Sequence, residues 1–461
     1  MATMKLRTVP TPFTQRSSLL CVVLLLGLAR LPSPAQLADT AATSTPPTIT
    51  LEEAIQRAQR NEPALATAIA ESKSADLDRS IARAGLLPTA VYHNQTLYTQ
   101  PNGSQNQAGQ GTGSQPSPRF IANNAVREYA SQGVINETLG FQQAAALKHA
   151  DATAARMAAE AEIARRGLVT TVVTFYYGAL MADHKLEVAT RAQSEADDFT
   201  SLTQKRENAR EAAHADVVKA QLEQQQRQRD VSDATLAVQR ARLELAVLLF
   251  PDPRTPYNLQ SPSTAPALPE RAVVESAAGK NNPELRSAFA SLRESDADVQ
   301  AARAAYLPDL GLNFTYGIDA PQFAVNGPGG VHNLGYSASA TLDIPVWDWL
   351  STQHKVKQTE IRRDAVKVAL TAAQKHLLVD LDEFYAEAAA AQKQLVSLDT
   401  SVQTATESLR LTKLRYSGGE GTVLEVVDAQ NALILAENAR EDGTLRYQTA
   451  LANLQTLTGT L

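Results

Sequence analysis

The sequence predicts a mainly helical fold with a small β part, built as a duplicated unit of two strands followed by a long helical hairpin. Three observations carry that expectation: an internal repeat, two proline-free stretches of more than a hundred residues, and short segments of strict period-two alternation.

The repeat comes first because it sets the plan of the whole chain. Asn61-Glu62-Pro63-Ala64-Leu65 returns 220 residues later as Asn281-Asn282-Pro283-Glu284-Leu285. At the same offset, Ala82-Arg83-Ala84-Gly85-Leu86-Leu87-Pro88 matches Ala302-Arg303-Ala304-Ala305-Tyr306-Leu307-Pro308. Further on, Val217-Val218-Lys219-Ala220-Gln221 matches Val426-Val427-Asp428-Ala429-Gln430 at an offset of 209, so the loops between differ in length. The domain plan is a signal segment at 1–35, a flexible segment at 36–49, a first repeat at 50–250, a Pro-rich linker at 251–268 and a second repeat at 269–461.

Each repeat opens with a short helix. Leu51 to Arg60 follows the cap candidate Thr50, and Glu270 to Ala278 follows Pro269. A second helix starts at Pro63 or Pro283, where the missing proline N–H would be unpaired anyway, and runs to Ala84 or Ala305. The Leu-Pro pairs at 87–88 and 307–308 end it. Strands follow. Leu310, Leu312, Phe314, Tyr316 and Ile318 alternate with Gly311, Asn313, Thr315 and Gly317; Tyr336, Ala338, Ala340, Leu342 and Ile344 alternate with small polar residues. The first repeat carries a weaker pair near Ala90–Gln100 and Arg127–Asn136. Gly/Pro/Asn-rich loops separate the pairs, such as Gly103 to Pro118 and Gly327 to Gly330.

The long stretches, Phe141 to Phe250 and Val346 to Leu461, lack proline and read as helical hairpins. Leu395, Leu398, Val402, Ala405, Leu409, Thr412 and Tyr416 form a heptad seam that requires a partner helix. Ser417-Gly418-Gly419-Glu420-Gly421 breaks the second stretch near its middle, as a hairpin tip should; Asn208 to Ala215 is the matching break in the first. A helix of about 65 residues is about 100 Å long, roughly three times the hydrocarbon thickness of a bilayer.

Composition narrows the class. Hydrophobic residues at 44% and charged residues at 20% belong to a folded chain, and aromatics at 5% are too few for one dominated by sheet. Lys5, Arg7 and Arg16 precede an apolar run from Leu19 to Ala29, which reads as a secretory signal with cleavage after Ala35. A retained anchor is disfavoured because Pro32 and Pro34 break the run. Cys21, the only cysteine, lies inside that run, so the mature protein is expected to have no thiol chemistry. No other stretch has about 18 consecutive apolar residues, so a membrane crossing would have to use strands. Residues 1–35 hold four basic and no acidic residues, which takes the remainder from −6 to −10, a poor balance for binding nucleic acid or anionic lipid.

Four strands cannot close alone, since about eight are needed for a barrel, and an open sheet in lipid would leave edge groups unpaired. Closure needs several copies. The helices must then extend into an aqueous space, and a strand barrel joined to a helical barrel satisfies both demands.

The pattern resembles the TolC-type outer membrane efflux proteins. The resemblance spans Leu51 to Leu461 and rests on the duplicated Asn-x-Pro-x-Leu and Leu-Pro signatures, on Tyr416-Ser417-Gly418-Gly419, on Val423-Leu424-Glu425-Val426-Val427-Asp428-Ala429 and on Thr458-Gly459-Thr460-Leu461. It implies a homotrimer with a twelve-stranded barrel in outer-membrane lipid and a twelve-helix periplasmic tunnel. It also implies docking to a periplasmic adaptor and an inner-membrane pump. The function expected is a passive exit duct for small molecules; the alternatives are the duct of a protein-secretion system or, from another class, a coiled-coil adaptor or adhesin.

Glu425 and Asp428 stand three apart on one helical face just after the glycine tip. In a trimer they would form two carboxylate rings that attract cations, and the resemblance implies the same place for them, in the tunnel constriction. Tyr416 matches a position that helps hold the tunnel shut. Some relatives carry an arginine where this chain has Gly421, so its closing contacts must differ. Gly418, Gly419, Gly421, Asp216 and Lys219 mark the tips that would face the adaptor, with Asp216 and Lys219 spaced for an i,i+3 bridge. Trp347 and Trp349 follow the last strand, a place suited to an aromatic girdle or to packing at the barrel–helix junction.

No catalytic constellation, cofactor site or metal site is expected. The histidines are scattered without a His-x-x-x-His pair. Gly109-Gln110-Gly111-Thr112-Gly113 sits in a polar run and not at a strand–helix turn. Beyond the signal only Met157 and Met181 could serve soft-metal handling, which disfavours a metal exporter.

Overall fold

The computed structural model describes residues 46–98, 127–261, 266–320, 323–327 and 330–459. The expected signal segment, the loop from Gly103 to Pro118 with its glycine run, and the closing Thr460-Leu461 lie outside the described residues.

Both repeats lie within one compact unit, residues 48–461. The first is β1 (Thr48–Ile49), α1 (Leu51–Asn61), α2 (Pro63–Ala84), β2 (Thr89–Tyr98), β3 (Arg127–Leu139), α3 (Phe141–Asn208) and α4 (His214–Leu249). The second is β4 (Asn258–Leu259), α5 (Arg271–Asn281), α6 (Pro283–Ala304), β5 (Asp309–Ala320), β6 (Leu334–Asp343), α7 (Ser351–Ser417) and α8 (Val423–Thr458). Local chemistry sets these limits as expected. The Thr50 hydroxyl accepts from the Glu53 amide at 3.2 Å, and Asn282 caps α6 through the Leu285 amide at 2.8 Å.

Two expectations need correction. The hairpin arms are unequal: α3 and α7 have 68 and 67 residues, while α4 and α8 have 36 each, so each tip lies about two-thirds of the way along. The strand-side halves of the long helices pack instead on α2 and α6. The flanking segments also hold structure that alternation could not reveal: Thr48–Ile49 pairs in parallel with Asn258–Leu259, and Ile49 is fully buried. Two residues are too short a run for a periodic signal.

The main sheet has the order β2-β3-β5-β6, antiparallel throughout, with β3 and β5 joining the repeats. At Gly317 the strands approach so closely that a Cβ would lie 2.2 Å from the Ser131 carbonyl oxygen. The register aligns one apolar face. Leu310 faces Leu342, Phe314 faces both Ile135 and Ala338, and Tyr316 faces Tyr336. That face is uncovered: Ile135, Leu312, Phe314, Tyr316, Tyr336 and Leu342 are all exposed. Strands β2 and β6 each have one unpaired edge. Among the described residues no helix is long and apolar enough to cross a membrane.

The core gathers where α1, α4 and the β1–β4 pair meet the middle of α3, around Val169, Val172, Tyr176, Leu245 and Leu249. The second repeat builds a smaller version from Val274, Ala278, Leu381 and Leu454. The heptad seam is observed: Leu409 is buried against Ala429 and Leu433 of α8, with Val402 and Ala405 beside them. Gly443 brings the two helices together, since a Cβ there would lie 2.6 Å from Leu398. Ionic contacts link α3 to α8: His184 to Glu441 at 2.8 Å, Lys185 to Asp442 at 2.6 Å and Arg191 to Glu437 at 2.5 Å. The hydrogen bond to Glu441 raises the pKa of His184 against its burial.

Tyr176 ties this centre together. Its buried hydroxyl lies 3.0 Å from the Ile49 carbonyl and 2.6 Å from that of Gln260, and burial pushes its pKa up to about 12. Tyr176→Phe would leave those carbonyls without this donor, so a loss of about 1–3 kcal/mol is expected, read as a lower thermal unfolding midpoint than wild type.

Candidate functional site

The two hairpin tips are built alike, residue for residue at the 209 offset. In the first, the Ala209 amide donates to Lys205, that of Arg210 to Glu207 and that of Glu211 to Arg206, at 3.1, 2.8 and 2.8 Å. In the second, Gly418 donates to Leu414, Gly419 to Tyr416 and Glu420 to Arg415, at 3.0, 3.1 and 2.9 Å. Each turn uses one left-handed residue to satisfy the last helical carbonyls. Gly419 takes it at φ 84°, and Arg210 at 61°, where a side chain costs about 1–2 kcal/mol.

Tyr416 is buried where the tips meet. Its ring packs on Phe199 at 5.1 Å, and its hydroxyl lies 3.2 Å from the Thr203 hydroxyl. Arg206, in the last turn of α3, completes the contact: its guanidinium sits 4.8 Å from the Tyr416 ring centre and donates to the Tyr416 carbonyl. A cation over a partly desolvated aromatic ring contributes about 0.5–2 kcal/mol. The first hairpin thus holds Tyr416 of the second through Phe199, Thr203 and Arg206. Sequence reading missed Arg206, although it is the repeat partner of Arg415 and stands at the same place before its tip.

At Gly421 any side chain would crowd the backbone of Tyr416. A Cβ there would lie 3.0 Å from the Tyr416 nitrogen and 3.2 Å from its Cα. At Gly418 the nearest atom would be 3.5 Å away, an ordinary contact. Cations come from Arg206 and Arg415. Arg415 Nη1 lies 3.3 Å from the Glu425 carboxylate, in ion-pair range but without hydrogen-bond geometry, and Nη2 donates to the Glu420 carbonyl at 3.3 Å. Glu425 is also the third residue of α8, and its amide donates to the capping Thr422 hydroxyl at 3.2 Å. Asp428, one turn on, is exposed and makes no ion pair. The two acids therefore share a face but not an environment.

The bridge expected between Asp216 and Lys219 does not form; no ion pair joins them. Asp216 lies in the first turn of α4, where exposed amides and the helix dipole already favour a carboxylate. Lys219 is solvated. Among the described residues no three His, Cys, Asp or Glu side chains converge as a metal site.

The model of the outer membrane efflux protein family matches residues 274–460, the second repeat with its tip. The second repeat is therefore similar to this family. It is 27% identical to the outer membrane protein OprJ of Pseudomonas aeruginosa over 38% of this chain, a match spanning about a third (36%) of OprJ. Over 88% of this chain and 83% of the other, it is 23% identical to the alkaline protease secretion protein AprF of the same species. Its fold is similar to that of the outer membrane protein VceC of Vibrio cholerae, with a TM-score of 0.74, 17% identity and coverage of 89% and 96%.

The two glycines make separable demands. Gly421→Ala is expected to loosen the turn over Tyr416 and speed tryptic cleavage at Arg415, while Gly418→Ala leaves it unchanged. Limited proteolysis of the folded protein, timed for both variants, checks this.

Proposed function

We propose that this protein is the outer-membrane exit duct of a tripartite efflux system, passively conducting small molecules supplied by an inner-membrane pump through a periplasmic adaptor. In this reading the signal segment is cleaved on export. Three copies close their four-stranded sheets edge to edge into one twelve-stranded barrel in outer-membrane lipid, and the helices form a periplasmic tunnel. The observation that carries the reading is the four-stranded sheet with two free edges and an uncovered apolar face, continuous with helices of about 70 residues, or about 100 Å. Such a sheet satisfies its backbone in lipid only by pairing β6 of one copy with β2 of the next.

The tips would gate the tunnel. In this reading Arg206 and Thr203, which contact Tyr416, would serve as the latch of a closed tunnel, while at Gly421 a Cβ would crowd the Tyr416 backbone. Glu425 and Asp428 would ring the constriction, with Asp428 the freer charge because Arg415 stands against Glu425. Gly418, Gly419, Asp216 and Lys219 lie on the surfaces offered to the adaptor. The likeness to AprF supports a second reading, the duct of a protein-secretion system.

Single-channel conductance in a planar bilayer tests both the duct and the gate. Wild type is expected to show a small, cation-selective conductance. Glu425→Ala/Asp428→Ala is expected to lose selectivity, and Arg206→Ala to conduct more at unchanged selectivity. A folded protein that stays monomeric and conducts nothing would sink the duct reading; unchanged selectivity would remove the carboxylate rings alone.

A further inference from the structure

Three ion pairs tie the second hairpin to the first between the central core and the tips. Along α3 and α8, His184 meets Glu441 at 2.8 Å, Lys185 meets Asp442 at 2.6 Å and Arg191 meets Glu437 at 2.5 Å. Lys413 of α7 adds a fourth link, to Glu195 of α3 at 2.6 Å. His184 stands about 30 Å of helix before Thr203, whose hydroxyl contacts Tyr416. These links differ in one respect. Lysine, arginine and carboxylate side chains keep their charge from about pH 6 to about pH 9, and histidine does not. Of the other histidines with acidic partners, His149 pairs with Glu294 and Asp298 of α6, and His214 pairs with Glu207 inside the first hairpin. Among the described residues His184 is the one histidine that joins the two hairpins.

The setting makes the charge of this histidine count. The Glu441 side chain is only 12% exposed, so water does little to screen it. Its Oε2 meets His184 Nδ1, and its Oε1 accepts from Arg440 at 2.9 Å; Arg440 is itself held by Asp399 of α7 at 2.7 Å. Burial works against the charge on Glu441, but the bonds from His184 and Arg440 outweigh it and hold the carboxyl below its usual range. The bond to Glu441 in turn lifts His184 above the ordinary imidazole value against its own burial, and Glu187 and Asp183 on α3 add to the lift. Asp183 is answered by Arg242 of α4 at 2.9 Å, and Asp442 by Lys185. A histidine raised on folding gives its full stabilisation below about pH 6.5 and loses it as the pH climbs past the raised value. A carboxylate lowered on folding loses its share only as the pH falls through the lowered value. The pair is therefore strongest in mild acid and weakens toward alkaline pH, where a charge-assisted bond becomes a neutral one.

We propose that His184 and Glu441 form a pH-sensitive clasp between the hairpins: in mild acid it holds α8 on α3, and in alkaline medium it lets the second hairpin move away from the first. Tyr416 of the second hairpin is held at the tip by Phe199, Thr203 and Arg206 of α3, so a looser clasp favours an open tip. The effect on conduction rests on the duct reading above; the clasp itself does not.

The full mature protein, His184→Gln and His184→Lys are compared at about pH 6 and about pH 9. Two quantities are read: open probability in a planar bilayer, and the apparent thermal unfolding midpoint in detergent. For wild type, open probability is expected to rise about fivefold from acid to alkaline pH, the size set by one charge-assisted hydrogen bond becoming neutral. His184→Gln is expected to stay at the high level at both pH values, and His184→Lys, which keeps its charge, at the low level. The unfolding midpoint of wild type is expected to exceed that of His184→Gln in acid, with the gap closing in alkaline medium. A pure packing role would move both variants the same way at both pH values, and that result overturns the proposal. A flat wild-type response in a conducting protein overturns it too, as does a rise that His184→Gln retains. If nothing conducts, the duct reading falls and the unfolding midpoints alone decide the clasp: a gap of equal size at both pH values removes it.

Discussion

A backbone amide removed from water must find a partner, and the two outer edges of the β2-β3-β5-β6 sheet have none within the chain. Much else follows from that constraint. The sheet is too narrow to close on itself. One face is uncovered and lined with Leu, Phe and Tyr, so water is a poor neighbour for it. In the proposed reading, closure with other copies in a lipid environment would answer both problems at once. The long helices then leave from a single rim, because Thr89, Leu139, Asp309 and Asp343 all end their strands at the same side.

At the far end the same duplication is used differently. The two tips share one hydrogen-bond pattern, yet they carry opposite parts of one contact: Arg206 and Thr203 on the first, Tyr416 on the second. Divergence between copies has turned a repeated turn into a complementary pair. The glycines are unequal partners in this. Gly419 supplies a left-handed turn, Gly421 clears space above Tyr416, and Gly418 meets no such demand. The first tip forms without glycine at all, with Arg210 taking the left-handed conformation.

Much of this fold was legible because its signals are local and long. Pro63 and Pro283 mark helix starts, and the alternation from Leu310 to Ile318 marks a strand and its apolar face. The seam from Leu395 to Tyr416 could be read as half of a helix pair, though not its partner. The candidate site was legible only in outline. Tyr416, Glu425 and Asp428 were visible as types at the right spacing, but the grip of Arg206 lies 210 positions away in sequence, and the pairing of Glu425 with Arg415 depends on how the tip folds back. The expected Asp216–Lys219 bridge failed because i,i+3 spacing permits a contact without requiring one.

By itself, the sequence determined the duplication, the helix and strand content, the residues that break each hairpin and a strand count too small to close alone. These depend on proline position, period and local caps, which act within a few residues. Only the tertiary structure decided the unequal hairpin arms, the buried β1–β4 pair, the Arg206–Tyr416 contact and the exposure of Trp347 and Trp349. Each of these depends on which surfaces meet across long separations, and there shape and register choose among contacts that the sequence alone leaves equally open.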